Sequence, residues 1–155
     1  MKKNLTWSDI ENCLKNKSKE IEKIKFDKVI ALARGGLPIA SLAQYYWNFR
    51  NFIPVDVNFY KNDSTKPNEN LSQPDIKNKI NLYELYKLQN KNILIIDDIV
   101  DTGITIKTIE KYFKKYTNCN LFYFSIVKNK LINRKDIIYC FEKEDEWIVF
   151  PWERS

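Results

Sequence analysis

Residues Asn92 to Thr105 read N-I-L-I-I-D-D-I-V-D-T-G-I-T. Ile93 to Ile96 is an apolar run too short and too β-branched for a helix, which predicts a buried parallel strand with Asp97 and Asp98 at its C-terminal end. Asp101, Thr102, Gly103, Ile104 and Thr105 form the turn that follows. Beyond it, Ile106 to Tyr116 carries Ile106, Ile109, Tyr112 and Phe113 at helical spacing. A strand, a tight loop and a helix N-terminus make an anion site, because the unpaired amides of the first helical turn face the loop and the helix dipole favours negative charge there. Thr102 and Thr105 can add hydroxyl donors. Two acids beside such a cradle repel unless something lies between them, and ribose hydroxyls or a hard divalent cation would fit that place.

Taken as hydrophobic strand, acid-acid, two residues and D-T-G-x-T, the stretch resembles the signature of the type I phosphoribosyltransferases, which bind 5-phosphoribosyl-1-pyrophosphate. The resemblance implies that Asp97 and Asp98 hold the ribose hydroxyls directly or through Mg²⁺, and that Asp101, Thr102, Gly103, Ile104 and Thr105 anchor the 5′-phosphate. The competing reading, in which the acids only cap the helix and solvate a loop, explains any one of them better than the ordered string.

The chain has 155 residues, enough for one α/β domain with a sizeable core and too few for two ordinary ones. Its net charge of +6 permits a nucleic-acid partner, but the lysines are scattered among Asn, Asp and Glu rather than gathered in a stripe, so a small polyanionic substrate is the better expectation. No run approaches the length of a membrane span, and the basic start M-K-K-N-L-T-W has no apolar core behind it, which together predict a cytoplasmic protein with no membrane partner. Cys13, Cys119 and Cys140 are odd in number and widely spaced, and read as small core residues rather than a disulfide framework or metal site. Histidine is absent, which rules out histidine-activated nucleophiles.

Thr6 and Asp9 form a capping box ahead of an amphipathic helix with Ile10, Leu14, Ile21 and Ile24 on its apolar stripe. Lys28 to Ala33 is a short buried strand leading into Arg34-Gly35-Gly36-Leu37-Pro38, where the glycines let the backbone approach a ligand and Pro38 opens a helix to Phe49 that turns Leu42, Ala43 and Tyr46 inward. Phe52 to Tyr60 is a strand. Lys61 to Lys79 is polar and proline-bearing, a long loop; Asn81 to Leu88 is a short helix. Cys119 to Val127, ending at Lys128, and Asp136 to Phe141 complete a mostly parallel, doubly wound α/β sheet with its ligands at the strands' C-terminal ends.

Further expectations come from the family resemblance. Arg34 and Gly35 match the pyrophosphate loop, Arg34 stabilising the leaving group, with unusual backbone at Arg34-Gly35 that includes a non-proline cis bond. Residues 60–80 match a small hood closing over the sugar, with Tyr60 in place and Phe59 where a hydroxyl is usual. The tail, about 141–155, with Trp147-Ile148 and Pro151-Trp152-Glu153, resembles the bacterial xanthine-guanine phosphoribosyltransferases. That implies a purine stacked on Trp147, read at its edge by the backbone of Ile148 and met by Lys128 at the 6-oxo group. Asp101 would be the general base, Asp97 and Asp98 the Mg²⁺ ligands, and the assembly a homodimer or homotetramer. The implied activity is transfer of the phosphoribosyl group to N9 of guanine, xanthine or hypoxanthine. A regulator of the same fold that senses the sugar pyrophosphate or a nucleotide, and touches nucleic acid, is the alternative.

Overall fold

The computed structural model describes residues 1–58, 75–76 and 80–153. A short polar strand, β1 (Lys2–Asn4), precedes α1 (Trp7–Glu22). The capping box is present: Asp9 N–H donates to Thr6 Oγ1 (3.2 Å) and Thr6 N–H to Asp9 Oδ2 (2.8 Å). Ile10, Cys13, Leu14 and Ile21 form the buried face, and Ile24 packs against the same core just past the helix end. β2 (Lys28–Ala33) has the bounds its sequence predicts. The next helix, α2 (Gly36–Ala43), starts earlier and stops sooner than Pro38 to Phe49, and it is Ile39, Ala40 and Ala43 that it buries. Trp47 lies beyond it in the core, its indole N–H donating to Leu14 O (3.0 Å).

β3 (Phe52–Asn58) and the two-residue β4 (Asp75–Ile76) follow. Tyr60, and the hood apart from Asp75, Ile76 and Ile80, lie outside the described residues. α3 (Leu82–Lys87) is capped by Asn81, whose side chain accepts from Glu84 N–H (2.8 Å). Then come β5 (Asn92–Val100), α4 (Ile104–Tyr116), β6 (Asn120–Asn129), β7 (Ile137–Lys143) and β8 (Trp147–Val149).

The main sheet runs in the order β4-β3-β2-β5-β6-β7, parallel throughout except for β4 at one edge. This is the doubly wound architecture expected. Because side chains alternate across a strand, Leu94 and Ile96 join the core under α1 and α2, while Ile93 and Ile95 join the core under α3 and α4. Each such fully buried isoleucine stabilises the fold by about 1.5–3 kcal/mol. The order of strands places the C-terminal ends of β2, β5, β6 and β7 side by side, where the connecting loops meet. β1 and β8 form a separate parallel pair. Among the described residues no helix is long and apolar enough to cross a membrane.

Two expectations are corrected. Cys13 and Cys140 are not merely small core residues: their sulfurs are bonded, with Cα atoms 5.7 Å apart, while Cys119 is free and half-buried. The parallel winding lays α1 over β7 and brings together cysteines separated by 127 residues. The cis peptide, expected at Arg34-Gly35, joins Ala33 to Arg34 instead, and Gly35 has ordinary right-handed helical angles.

Candidate active site

β5 does not end at its acids. It keeps pairing with β6 through Asp97 opposite Ser125, Ile99 opposite Val127 and Val100 opposite Lys128. Each acid instead turns back on its own backbone: Asp97 Oδ1 accepts from Asp98 N–H (3.0 Å) and Asp98 Oδ1 from Ile99 N–H (2.8 Å). Burial, reinforced by the neighbouring Asp98 charge, pushes the Asp97 carboxyl well above the usual range. Burial also raises Asp98, against the lowering effect of its own hydrogen bonds. Two desolvated acids side by side are costly when both are ionised, and a cation or a set of hydroxyls relieves that cost. Among the described residues no three acids, cysteines or histidines cluster as a metal cage.

The turn from β5 to α4 is shaped by Gly103, whose φ of 76° lies in the left-handed region. Thr102 Oγ1 accepts from Ile104 N–H at 3.4 Å. A cavity of about 250 Å³ lies where β5 passes into α4, lined by Asp97, Ile99, Val100, Asp101, Thr102, Gly103, Thr105 and Ile106, at the end of the helix whose first amides lack intrahelical partners. Its lining joins the hydroxyl-bearing Thr102 and Thr105 to the acids Asp97 and Asp101 at a helix N-terminus, a place that suits an anionic ester.

The β2–α2 turn lies against this site for a different reason. A Cβ on Gly35 would stand 1.9 Å from Asp98 Oδ2, and one on Gly36 would stand 2.4 Å from Ile96 O. Both glycines are imposed by contact with β5. Arg34 is exposed beside them, its carbonyl accepting from Leu37 N–H (3.2 Å).

Asp101 stands in the loop with its Oδ1 accepting from Asn129 Nδ2 (2.9 Å) and paired with Lys143 Nζ (2.9 Å). Partial burial opposes ionisation, but these two donors prevail and hold the Asp101 carboxyl below the usual range. Lys128 is 6% exposed at the end of β6. Its ammonium donates to Ile132 O (3.1 Å), lies 3.4 Å from Glu142 Oε1 and sits over the Tyr139 ring at 4.6 Å.

In the tail, the two tryptophans part company. Trp152 stacks on Phe150 and meets Trp7, whereas the Trp147 ring is 71% exposed. β8 is held by β1 through Trp147 N–H donating to Met1 O (2.9 Å) and Leu5 N–H donating to Val149 O (2.9 Å). Alternate residues of a parallel ladder turn their amides to opposite sides, so the N–H and C=O of Ile148 face away from β1.

The sequence model of the phosphoribosyl transferase domain matches residues 5–155. The chain belongs to the phosphoribosyltransferase family. A xanthine-guanine phosphoribosyltransferase of Idiomarina loihiensis is 23% identical over 150 residues, covering 96% of this chain and 85% of that one. A purine phosphoribosyltransferase from Pyrococcus horikoshii superposes with a TM-score of 0.82 at 28% identity, over 99% of this chain and 95% of that one. The xanthine-guanine-hypoxanthine phosphoribosyltransferase of Helicobacter pylori has the same fold, with a TM-score of 0.72 at 18% identity over 99% and 94% of the two chains.

Within this phosphoribosyltransferase, Asp97, Asp101, Thr102, Gly103 and Thr105 line one cavity, and Gly35 touches Asp98 from the side. Ile104 opens α4 with its side chain outward. Lys128 lies near the C-terminal end of β6, and its ammonium is turned to Ile132 and Glu142. Asn129 and Lys143 escaped the sequence reading. The signal was register: β6 runs on to Asn129, and a parallel neighbour of equal reach carries β7 past Phe141 to Lys143, directly opposite.

Proposed function

We propose that this phosphoribosyltransferase moves the 5-phosphoribosyl group from its 1-pyrophosphate to N9 of a 6-oxopurine, with guanine, xanthine and hypoxanthine as the candidate bases. The observation that carries the reading is that Asp101 lines one and the same cavity as Thr102, Gly103 and Thr105 at the start of α4. The loop from Thr102 to Thr105 would grip the 5′-phosphate, and the carboxylates of Asp97 and Asp98 would hold the ribose hydroxyls. Asp97 and Asp98 would be the residues to hold Mg²⁺, whose charge would offset that of the pyrophosphate. Arg34, exposed beside the glycine turn, would add positive charge to the departing group.

In the chemical step N9 bonds to the anomeric carbon as its bond to pyrophosphate breaks, the leaving oxygen keeps the electron pair, and the N7 proton passes to Asp101. The open ring of Trp147 and the outward amides of Ile148 support a flat heterocycle stacked and read at its edge. Lys128 would have to leave Ile132 O to reach a 6-oxo group.

The test is release of pyrophosphate when the protein is given Mg²⁺, phosphoribosyl pyrophosphate and each base in turn. Asp101→Ala is expected to lower turnover by about 10²-fold while leaving calorimetric binding of the sugar largely intact. Equal loss of both would make Asp101 structural, and binding without any turnover would favour a sensor.

A further inference from the structure

We propose that Lys143 and Asn129 are positioning residues for the general base: together they fasten one oxygen of Asp101 so that the other is presented to the purine. The inference rests on the reading of Asp101 as the proton acceptor. Both contacts fall on Oδ1, at 2.9 Å each, and neither falls on Oδ2. The two donors are neighbours in the sheet, Asn129 opposite Lys143 across the ends of β6 and β7. Neither is loosely placed. The Lys143 side chain is 12% exposed, and the Asn129 amide is fixed by accepting Leu131 N–H at its own Oδ1 (2.9 Å).

Asp101, by contrast, is exposed on a loop, where an unheld carboxylate would turn freely between rotamers and hydrate at both oxygens. A proton transfer from N7 needs the accepting oxygen within hydrogen-bond reach and aimed. Two donors on one oxygen supply the aim. Among the described residues the groups that meet Asp101 are Asn129 from β6 and Lys143 from β7, while the lysines flanking Asn129 in the chain pair elsewhere, Lys128 with Glu142 and Lys130 with Glu144. Lys143 thus acts twice: it orients the carboxylate and favours its ionised form. In the reaction, the N7 proton goes to Oδ2 as N9 closes its bond to the anomeric carbon and pyrophosphate leaves with the electron pair.

The experiment uses the full chain with Mg²⁺, phosphoribosyl pyrophosphate and guanine. Lys143→Met is expected to lower kcat about 10-fold and to leave the KM for the sugar within about twofold. Removing the cation raises the Asp101 pKa, so the acidic limb of the kcat/KM profile should move toward neutral pH. Lys143→Arg should restore most of kcat, since it keeps a cation on Oδ1, and Asn129→Ala should show a smaller loss. An unchanged kcat and acidic limb in Lys143→Met would overturn the proposal, as would a loss that Arg fails to recover with the limb unmoved. A readout independent of turnover is the carboxyl ¹³C titration of Asp101, which should midpoint at higher pH in Lys143→Met than in the unmodified chain; coincident curves also overturn it. Should Asp101→Ala keep full turnover while the ¹³C midpoint shifts as expected, the pairing stands and it is the general-base reading, with the positioning role built on it, that fails.

Discussion

Two crossings of this molecule look alike in sequence: β2 to α2 through Arg34-Gly35-Gly36, and β5 to α4 through Asp101-Thr102-Gly103. Each follows a buried strand and opens a helix with glycine. Their glycines answer to different forces. Gly35 and Gly36 have no room for a Cβ, at 1.9 Å from Asp98 Oδ2 and 2.4 Å from Ile96 O, yet Gly35 has an ordinary backbone. Gly103 has room, its nearest contact being Ile132 Cδ1 at 3.5 Å, but stands at a φ of 76°. One turn is a packing joint, the other a shaped cradle. A glycine pair after a strand is therefore weak evidence for a ligand until the neighbouring strand is known.

The comparison breaks most sharply at Gly36. Gly36→Ala drives a methyl into a main-chain oxygen that cannot rotate away, so a loss of about 3 kcal/mol is expected in urea melts. A mild effect would mean that α2 is free to retreat from β5. Gly103→Ala should cost less, about 1–2 kcal/mol from left-handed strain alone, together with weaker sugar binding by calorimetry. If stability fell further than in Gly36→Ala, the two turns would have been assigned the wrong way round.

Asp97 sharpens the contrast from the other side. Its folded pKa is raised, so the folded state holds a proton that the unfolded chain releases. Its favourable contribution is complete below the ordinary carboxylate range and is lost as pH rises through the folded value. Asp97→Asn is a fixed neutral stand-in. It should raise the Tm of the unliganded protein at neutral pH by an amount worth about 1 kcal/mol, with the advantage fading in acid, and should weaken sugar binding. An advantage independent of pH would assign the effect to shape rather than charge.

The α/β winding was legible because the sheet's central strands are written in short β-branched runs between turn residues, Lys28 to Ala33 to the residue. β5 was not fully legible: carboxylates look like the end of a buried strand, but Asp97 and Asp98 satisfy neighbouring amides with their own side chains and let the ladder continue. β1 is polar and exposed, and nothing in M-K-K-N announces that it will pair with β8. The loop residues of the site could be named from order along the chain. Lys143 could not, because its role comes from register across two strands rather than from any local pattern.

The bond between Cys13 and Cys140 ties an early helix to a late strand and so encloses most of the covalent chain in one ring. A single backbone cut anywhere inside that ring would leave one molecule, not two, until a thiol was added. A protein nicked once there would remain one covalent species on a non-reducing gel, and its two pieces would separate only on reduction.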